Sequence, residues 1–293
     1  MERVSAFPLP GSAPATVVAE PPGAGPGHWA GSSSAALDED GRFVVAYRLR
    51  NVAARGASTV IARSEDGERL TTVGVIGRER FGAFSMERPA LVRAGDGRWR
   101  LYVCCASPEP SKHWWIDLLE ADDPESLAAA EARTVFPGDH QTGVKDPVVR
   151  RIDEGWEAWI CCHPLDEPGE EDRMTTAYAT SADGIDWEWG GTVLRPRPGT
   201  WDARGTRVTS VLPDGSASYD GRATKEQNFF ERTGLARLTG NRGELEQTND
   251  DAAVDARYLD VLPLPGGGYR IWYEARLPDE SHELRTELVA AQA

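Results

Sequence analysis

The chain has 293 residues, 40% hydrophobic and 27% charged, and carries a formal net charge of −15. That length buries ample core without help from a metal or a disulfide, and the composition is globular rather than disordered. The acidity excludes a broad nucleic-acid interface, which needs a basic footprint, and disfavours adsorption to anionic membranes.

The N-terminal stretch MERVSAFPLPGSAPATVV lacks an apolar h-region and is interrupted by Pro8, Pro10 and Pro14, so no secretory signal is expected. No window approaches the roughly 18 apolar residues of a membrane span. Cysteine occurs only as Cys104-Cys105 and Cys161-Cys162, which fit neither a CxxC zinc pattern nor a disulfide framework. A reducing cytoplasm is the expected compartment.

In chain order, a turn followed by an alternating, aromatic-rich run recurs: DEDGRFVVAYRLR (38–50), AGDGRWRLYVCCA (94–106), DEGWEAWICCHP (153–164), PDGSASYDGRA (213–223) and PGGGYRIWYEAR (265–276). The turn glycines lie roughly 50 to 60 residues apart, the spacing of propeller blades rather than of short solenoid repeats. A short strand precedes each turn: 32–39, 86–94, 144–152, 207–213 and 257–265. A third follows each hairpin, at 58–67, 114–122, 174–184, 232–240 and 282–290, and GERLTTVGVI, IDWEWGGTVL and ELEQT offer fourth strands.

This pattern predicts an all-β fold, one five-bladed β-propeller of four-stranded antiparallel blades. The blades fall near 27–82, 83–140, 141–198, 199–253 and 254–293, with ATVVAEP (15–21) closing the ring. Only DDPESLAAAEAR (122–133) reads as helical, in a connection. The alternative, an open β-sandwich, is disfavoured by the regular spacing.

In a propeller, the starts of first strands and the ends of second strands converge on a central channel. That rule gathers Glu87, Arg88, Lys145, Asp146, Arg207 and Tyr258 with Arg48, Asp220, Arg222 and Glu274. Glu87-Arg88-Pro89 and Lys145-Asp146-Pro147 read as equivalent strand starts, each placing a carboxylate at the mouth beside a proline. Proline biases its predecessor towards extended backbone, although an acid before proline also serves as a plain strand-start cap. Arg48, Arg50, Arg88, Lys145, Arg207, Arg222, Arg257 and Arg276 exceed what one pocket holds unpaired, so most pair with acids and the remainder favour an anionic ligand. His113 and Trp114, beside Lys112 and Trp115, read as a rim on which a sugar stacks, or as blade packing.

The five blades, the Asp-Pro strand start and the phrase YATSADGIDW (178–187) resemble the five-bladed propeller glycoside hydrolases. That superfamily includes the arabinanase and xylosidase group, the invertase and levansucrase group and the mannoside phosphorylases. The resemblance implies acids from successive blades, and places them at Asp146 and Glu87; Glu231 and Glu274 stand in reserve. It also implies a first-blade acid, where this chain has Ser32, Ser33 and Ser34.

The expected function is cleavage of a small, anionic or neutral, glycoside by paired carboxylates, since hydrolysis needs one group to protonate the leaving oxygen and one to attack or activate water. A non-catalytic carbohydrate-binding propeller and a propeller recruited to lyase or isomerase chemistry stay open. No cofactor or metal site is expected, although relatives that hold a channel ion on one histidine leave that alternative open. The expected partner is a small carbohydrate-like substrate, without nucleic acid or membrane.

Overall fold

A computed structural model describes residues 7–107, 113–240 and 242–291; Lys112, expected on the rim, lies outside them. The strands run as successive antiparallel meanders. The first comprises Trp29–Leu37, Phe43–Asn51, Arg55–Ser64 and Thr71–Gly77. The second opens with a broken strand, Ser85–Met86 and Ala90–Arg93, followed by Trp99–Ala106, Trp114–Ala121 and Ala132–Phe136. Thr142–Ile152, Gly155–Pro164, Thr175–Ser181 and Glu188–Leu194 form the third. Gly205–Val211, Ser216–Arg222, Arg232–Leu238 and Leu245–Gln247 form the fourth. The last is Arg257–Pro263, Tyr269–Arg276 and His282–Val289, completed by Thr16–Ala19 from the N-terminus.

Hydrogen bonding divides these strands into four sheets, the largest having eight strands because the parallel pair Trp29 and His282 joins the first meander to the last. The first strand of each meander packs beside that of the next, and the last beside the first. The order therefore closes on itself.

Side chains on successive strand residues point to opposite faces, so each inner strand feeds two cores. Val103 and Cys105 pack with Val44, Ile61 and Leu119, between the first two meanders. Their neighbours Tyr102 and Cys104 face Ile160 and Ala177 of the third. The alternation continues through Trp159 with Tyr219, through Leu212 with Ile271, and through Trp272 with Val45. All four cysteines are buried and free, serving as small core residues.

Two expectations about local structure need correction. Within 122–133, only Pro124–Ala129 winds, as a 3-10 turn capped by the Asp123 carboxylate on the Ser126 N–H, and Ala132–Phe136 then pairs as an outer strand. Ala-rich propensity lost there to the unpaired edge of Trp114–Ala121. Second, Asp146 is not extended: its φ is +50°, shared with Ser32 (+53°) and Tyr258 (+50°). Each sits where its first strand slips register, between Gly31 and Ser34, Lys145 and Val148, or Arg257 and Asp260. A bulge bends the strand and re-aims a side chain, and here it overrides the proline's bias. Among the described residues, no helix is long and apolar enough to cross a membrane.

Candidate active site

A set of charged side chains faces a common cavity, joined by Tyr258 of the last bulge. Trp29, Arg48, Arg50, Arg55, Glu87, Lys145, His163, Met174, Arg207, Arg222, Asn228, Phe229, Glu231, Arg257 and Tyr258 line it. A smaller recess adjoins it, walled by Arg55, Phe84, Ser85, Glu87 and Trp114.

The register corrects one equivalence read from the sequence. Met86 pairs with Cys105 and Val144 with Cys162, so Glu87 matches Lys145 and Arg88 matches Asp146. The two carboxylates still meet, because the Lys145 ammonium lies 3.9 Å from Glu87 Oε2 and 3.8 Å from Asp146 Oδ2.

Asp146 is wholly buried. Its Oδ1 accepts the Arg88 N–H at 2.9 Å, while its Oδ2 faces Arg207 and the Tyr258 hydroxyl, each at 3.3 Å. Burial works to protonate Asp146, but Lys145, Arg207 and Arg48 outweigh it and hold the carboxyl well below its usual range. Glu87 is treated alike: burial opposes Lys145 and Arg48, and the net shift is downward. Its Oε2 takes a 2.6 Å bond from Arg48 and its Oε1 a 3.1 Å bond from the Ser85 hydroxyl. Both acids are therefore ionised in the free protein. Lys145 is raised despite its burial, chiefly by Glu87 and Asp146.

Glu231 bridges two arginines, 2.5 Å from Arg222 and 2.7 Å from Arg257. Asp220 lies behind the wall, binding Arg207 at 2.6 Å and the Tyr258 N–H through both oxygens. The guanidiniums of Arg207, Arg257 and Arg48 lie 3.9, 5.2 and 5.6 Å from the Tyr258 ring centroid. Burial pushes the Tyr258 hydroxyl up to about 12, so it stays protonated.

Not every candidate reaches the cavity: Asp146, behind Lys145, is absent from its lining. Arg88 is buried beneath it, donating to the Ser33 carbonyl and pairing with Asp260 at 3.3 Å. His113 stacks on Trp115 and is absent from the lining, whereas Trp114 lines the adjoining recess and stacks on His163. Arg55, Met174, Asn228 and Phe229 were missed. Arg55 begins a third strand, which a rule confined to first and second strands does not examine, and Asn228 and Phe229 lie in a connection.

The first strand carries no acid, yet a carboxylate occupies the space. A Cβ on Gly31 would fall 1.9 Å from Cγ of Glu274. Glu274 reaches over from the last meander, 3.5 Å from Arg257 and 3.9 Å from Arg48. Burial would raise its carboxyl, but Arg257, His282 and Arg48 bring it down to about 2.

The lining does not fit a metal ion. His163 Nδ1 is engaged with the Glu171 carbonyl at 2.6 Å, and its Nε2 faces Cys161 Sγ at 3.6 Å. Among the described residues, no three His, Cys, Asp or Glu side chains are grouped to hold one.

The sequence matches no protein-family model and no curated protein. Solved structures do match. An α-L-arabinofuranosidase from Lactobacillus brevis superposes with a TM-score of 0.63 at 13% identity, over 88% of this chain and 90% of that one. For a thermostable family-43 glycoside hydrolase the TM-score is 0.68 at 10% identity, over 88% of both chains. The β-1,2-mannobiose phosphorylase from Listeria innocua gives 0.61 at 15% identity, over 96% of this chain and 92% of that one. The chain thus shares its fold with these glycoside hydrolases and this mannoside phosphorylase, at 10–15% identity.

Proposed function

We infer that the five meanders are the blades of one propeller spanning the chain, and that the cavity at their first strands processes a small glycoside. The observation that carries the functional reading is the placement of Lys145 on the cavity wall between Glu87, which also lines it, and Asp146, buried directly behind. With both oxygens within 4 Å of one ammonium, the carboxylates lie less than about 8 Å apart, within the span used by glycosidases. Asp146, ionised and fixed by three donors, suits the base or nucleophile. Glu87 faces the cavity and suits the acid once it gains a proton. Glu231 and Asp220 act as positioning residues that hold Arg222, Arg257 and Arg207.

The test is turnover of aryl glycosides and β-1,2-mannobiose, with and without phosphate. Asp146→Asn should lower kcat by roughly 10²–10⁴-fold while sparing the fold; undiminished turnover would overturn the assignment. A second reading, a silent sugar-binding propeller, is favoured by both carboxylates being held ionised. Saturable sugar binding by a chain that turns over none of these glycosides would select it.

A further inference from the structure

A groove opens between the second and third meanders, apart from the central cavity. Its volume is about 250 Å³, and Phe136, Pro137, Asp139, Thr142, Val144 and Trp189 line it. Trp189 lies on the outer strand Glu188–Leu194 and is 51% exposed. The strand slips register beside it: Trp189 pairs with Ala179 and Gly191 with Tyr178, leaving Gly190 over. The indole stands edge-on to the buried Phe136, with ring centroids 6.3 Å apart, and Trp187 packs on Phe136 at 5.3 Å. Half of a large apolar ring is thus left in water beside the buried Phe136 and Val144.

One edge of the groove is polar. Asp139 Oδ1 accepts the N–H groups of Gln141 and Thr142, each at 2.7 Å, and its Oδ2 has no hydrogen-bond partner among the described residues. The Asp139 N–H in turn donates to the Thr142 carbonyl at 3.1 Å, so both residues are held on one turn. A wholly apolar ligand would strip water from that carboxylate without replacing it. A protein interface needs about 1,000 Å² or more, whereas this volume lies near the lower bound of ~300 Å³ for small-molecule sites. The carboxylate and the net charge of −15 repel an anion. A neutral sugar ring meets all three conditions, since its C–H face stacks on an indole and its hydroxyls donate to a carboxylate.

We propose that this groove is an accessory carbohydrate site that takes one neutral saccharide unit of a glycan chain, stacked on Trp189 with its hydroxyls turned to Asp139 and Thr142. The wall behind it abuts Trp114, since a Cβ on the neighbouring Gly143 would lie 2.6 Å from that indole, and Trp114 lines the recess beside the central cavity. A glycan held here lies one indole away from that recess. The groove performs no step of a reaction, so the site stands apart from the glycoside reading.

Affinity electrophoresis of the full chain tests it, in native gels cast with graded amounts of arabinan, xylan, galactomannan or mixed-linkage β-glucan. At least one glycan should retard the wild type. Trp189→Ala should weaken that binding roughly tenfold, as loss of a ring stack does, and Thr142→Val about threefold. Arg93→Met, in a groove between the first and second meanders, should run as wild type. Absence of retardation by all four glycans overturns the proposal. So does wild-type affinity in Trp189→Ala with native circular dichroism, which places the bound glycan elsewhere. Should that variant lose its native spectrum, wild-type affinity in Thr142→Val overturns it instead. Retardation needs no turnover. A chain that binds a glycan and cleaves nothing loses the glycoside reading and keeps the groove; one that cleaves aryl glycosides without retardation loses the groove alone.

Discussion

Gly31 and Glu274 share one volume: the Cβ that Gly31 lacks would lie 1.9 Å from Cγ of Glu274. The glycine is what lets a carboxylate from the last meander stand beside Arg48 and Arg257, where the first strand itself offers only serines. Gly31→Ala should therefore destabilise by about 1–3 kcal/mol, as overpacking does. In a Glu274→Ala background the same substitution should cost almost nothing, because the clashing side chain is gone. Urea unfolding of the four proteins gives the coupling directly; additive losses would show that the two residues do not compete for space.

Asp146 makes a different demand on the fold. Its carboxylate answers Arg207 and the Tyr258 hydroxyl at 3.3 Å and Lys145 at 3.8 Å, all buried or nearly so. Asp146→Ala leaves two cations facing each other without their anion, and should cost about 3–5 kcal/mol. Asp146→Asn should cost less, since it keeps an acceptor for the Arg88 N–H and tolerates a φ of +50°. Chemical denaturation ranks the two variants, and equal stabilities would contradict this account.

The meanders were legible because alternation, turn glycines and repeat spacing are local signals, and each placed a strand within a few residues of its pairing partner. Convergence of Glu87, Asp146, Arg48 and Arg207 followed from the repeat alone. The register of the broken strand Ser85–Met86 and Ala90–Arg93 did not: Glu87 matches Lys145 because Met86 pairs with Cys105 as Val144 does with Cys162, a relation the proline motif does not carry. Glu274 over Gly31 was equally hidden, since it depends on two strands from opposite ends of the chain. Arg55 was overlooked because a third strand entered the wall.

The closing strand Thr16–Ala19 supplies a further test. The Glu287 carboxylate, buried in its partner strand, accepts the N–H groups of Gly11 at 2.8 Å and Ala13 at 3.0 Å, and the Tyr273 hydroxyl at 2.8 Å. Charge-assisted bonds of this kind contribute about 1.5–3 kcal/mol each. Glu287→Ala should free the N-terminal segment, so limited proteolysis should cut within residues 7–19 well before the rest of the chain. Wild-type protection of that segment would show that strand pairing with His282–Val289 suffices without the carboxylate.

Stability against pH should show two opposed limbs. Asp146, Glu87 and Glu231 are all held below their usual range, and Glu274 is brought down to about 2. A depressed carboxyl stabilises the fold above its unfolded value near ~4, and that contribution is lost as pH falls through the folded value. Asp260 runs the other way: burial, only partly offset by Arg88, pushes it up to about 6. Its ionisation penalises the fold, so stability from this residue grows as pH falls from ~6 to ~4. The melting temperature should therefore rise on mild acidification and then collapse below about pH 3.5. Asp260→Asn removes the titrating group and should flatten the limb between ~6 and ~4 while leaving the acid collapse in place. A rise of the same slope in that variant would assign the upper limb to another group, with Asp220, also raised by burial, the next to substitute.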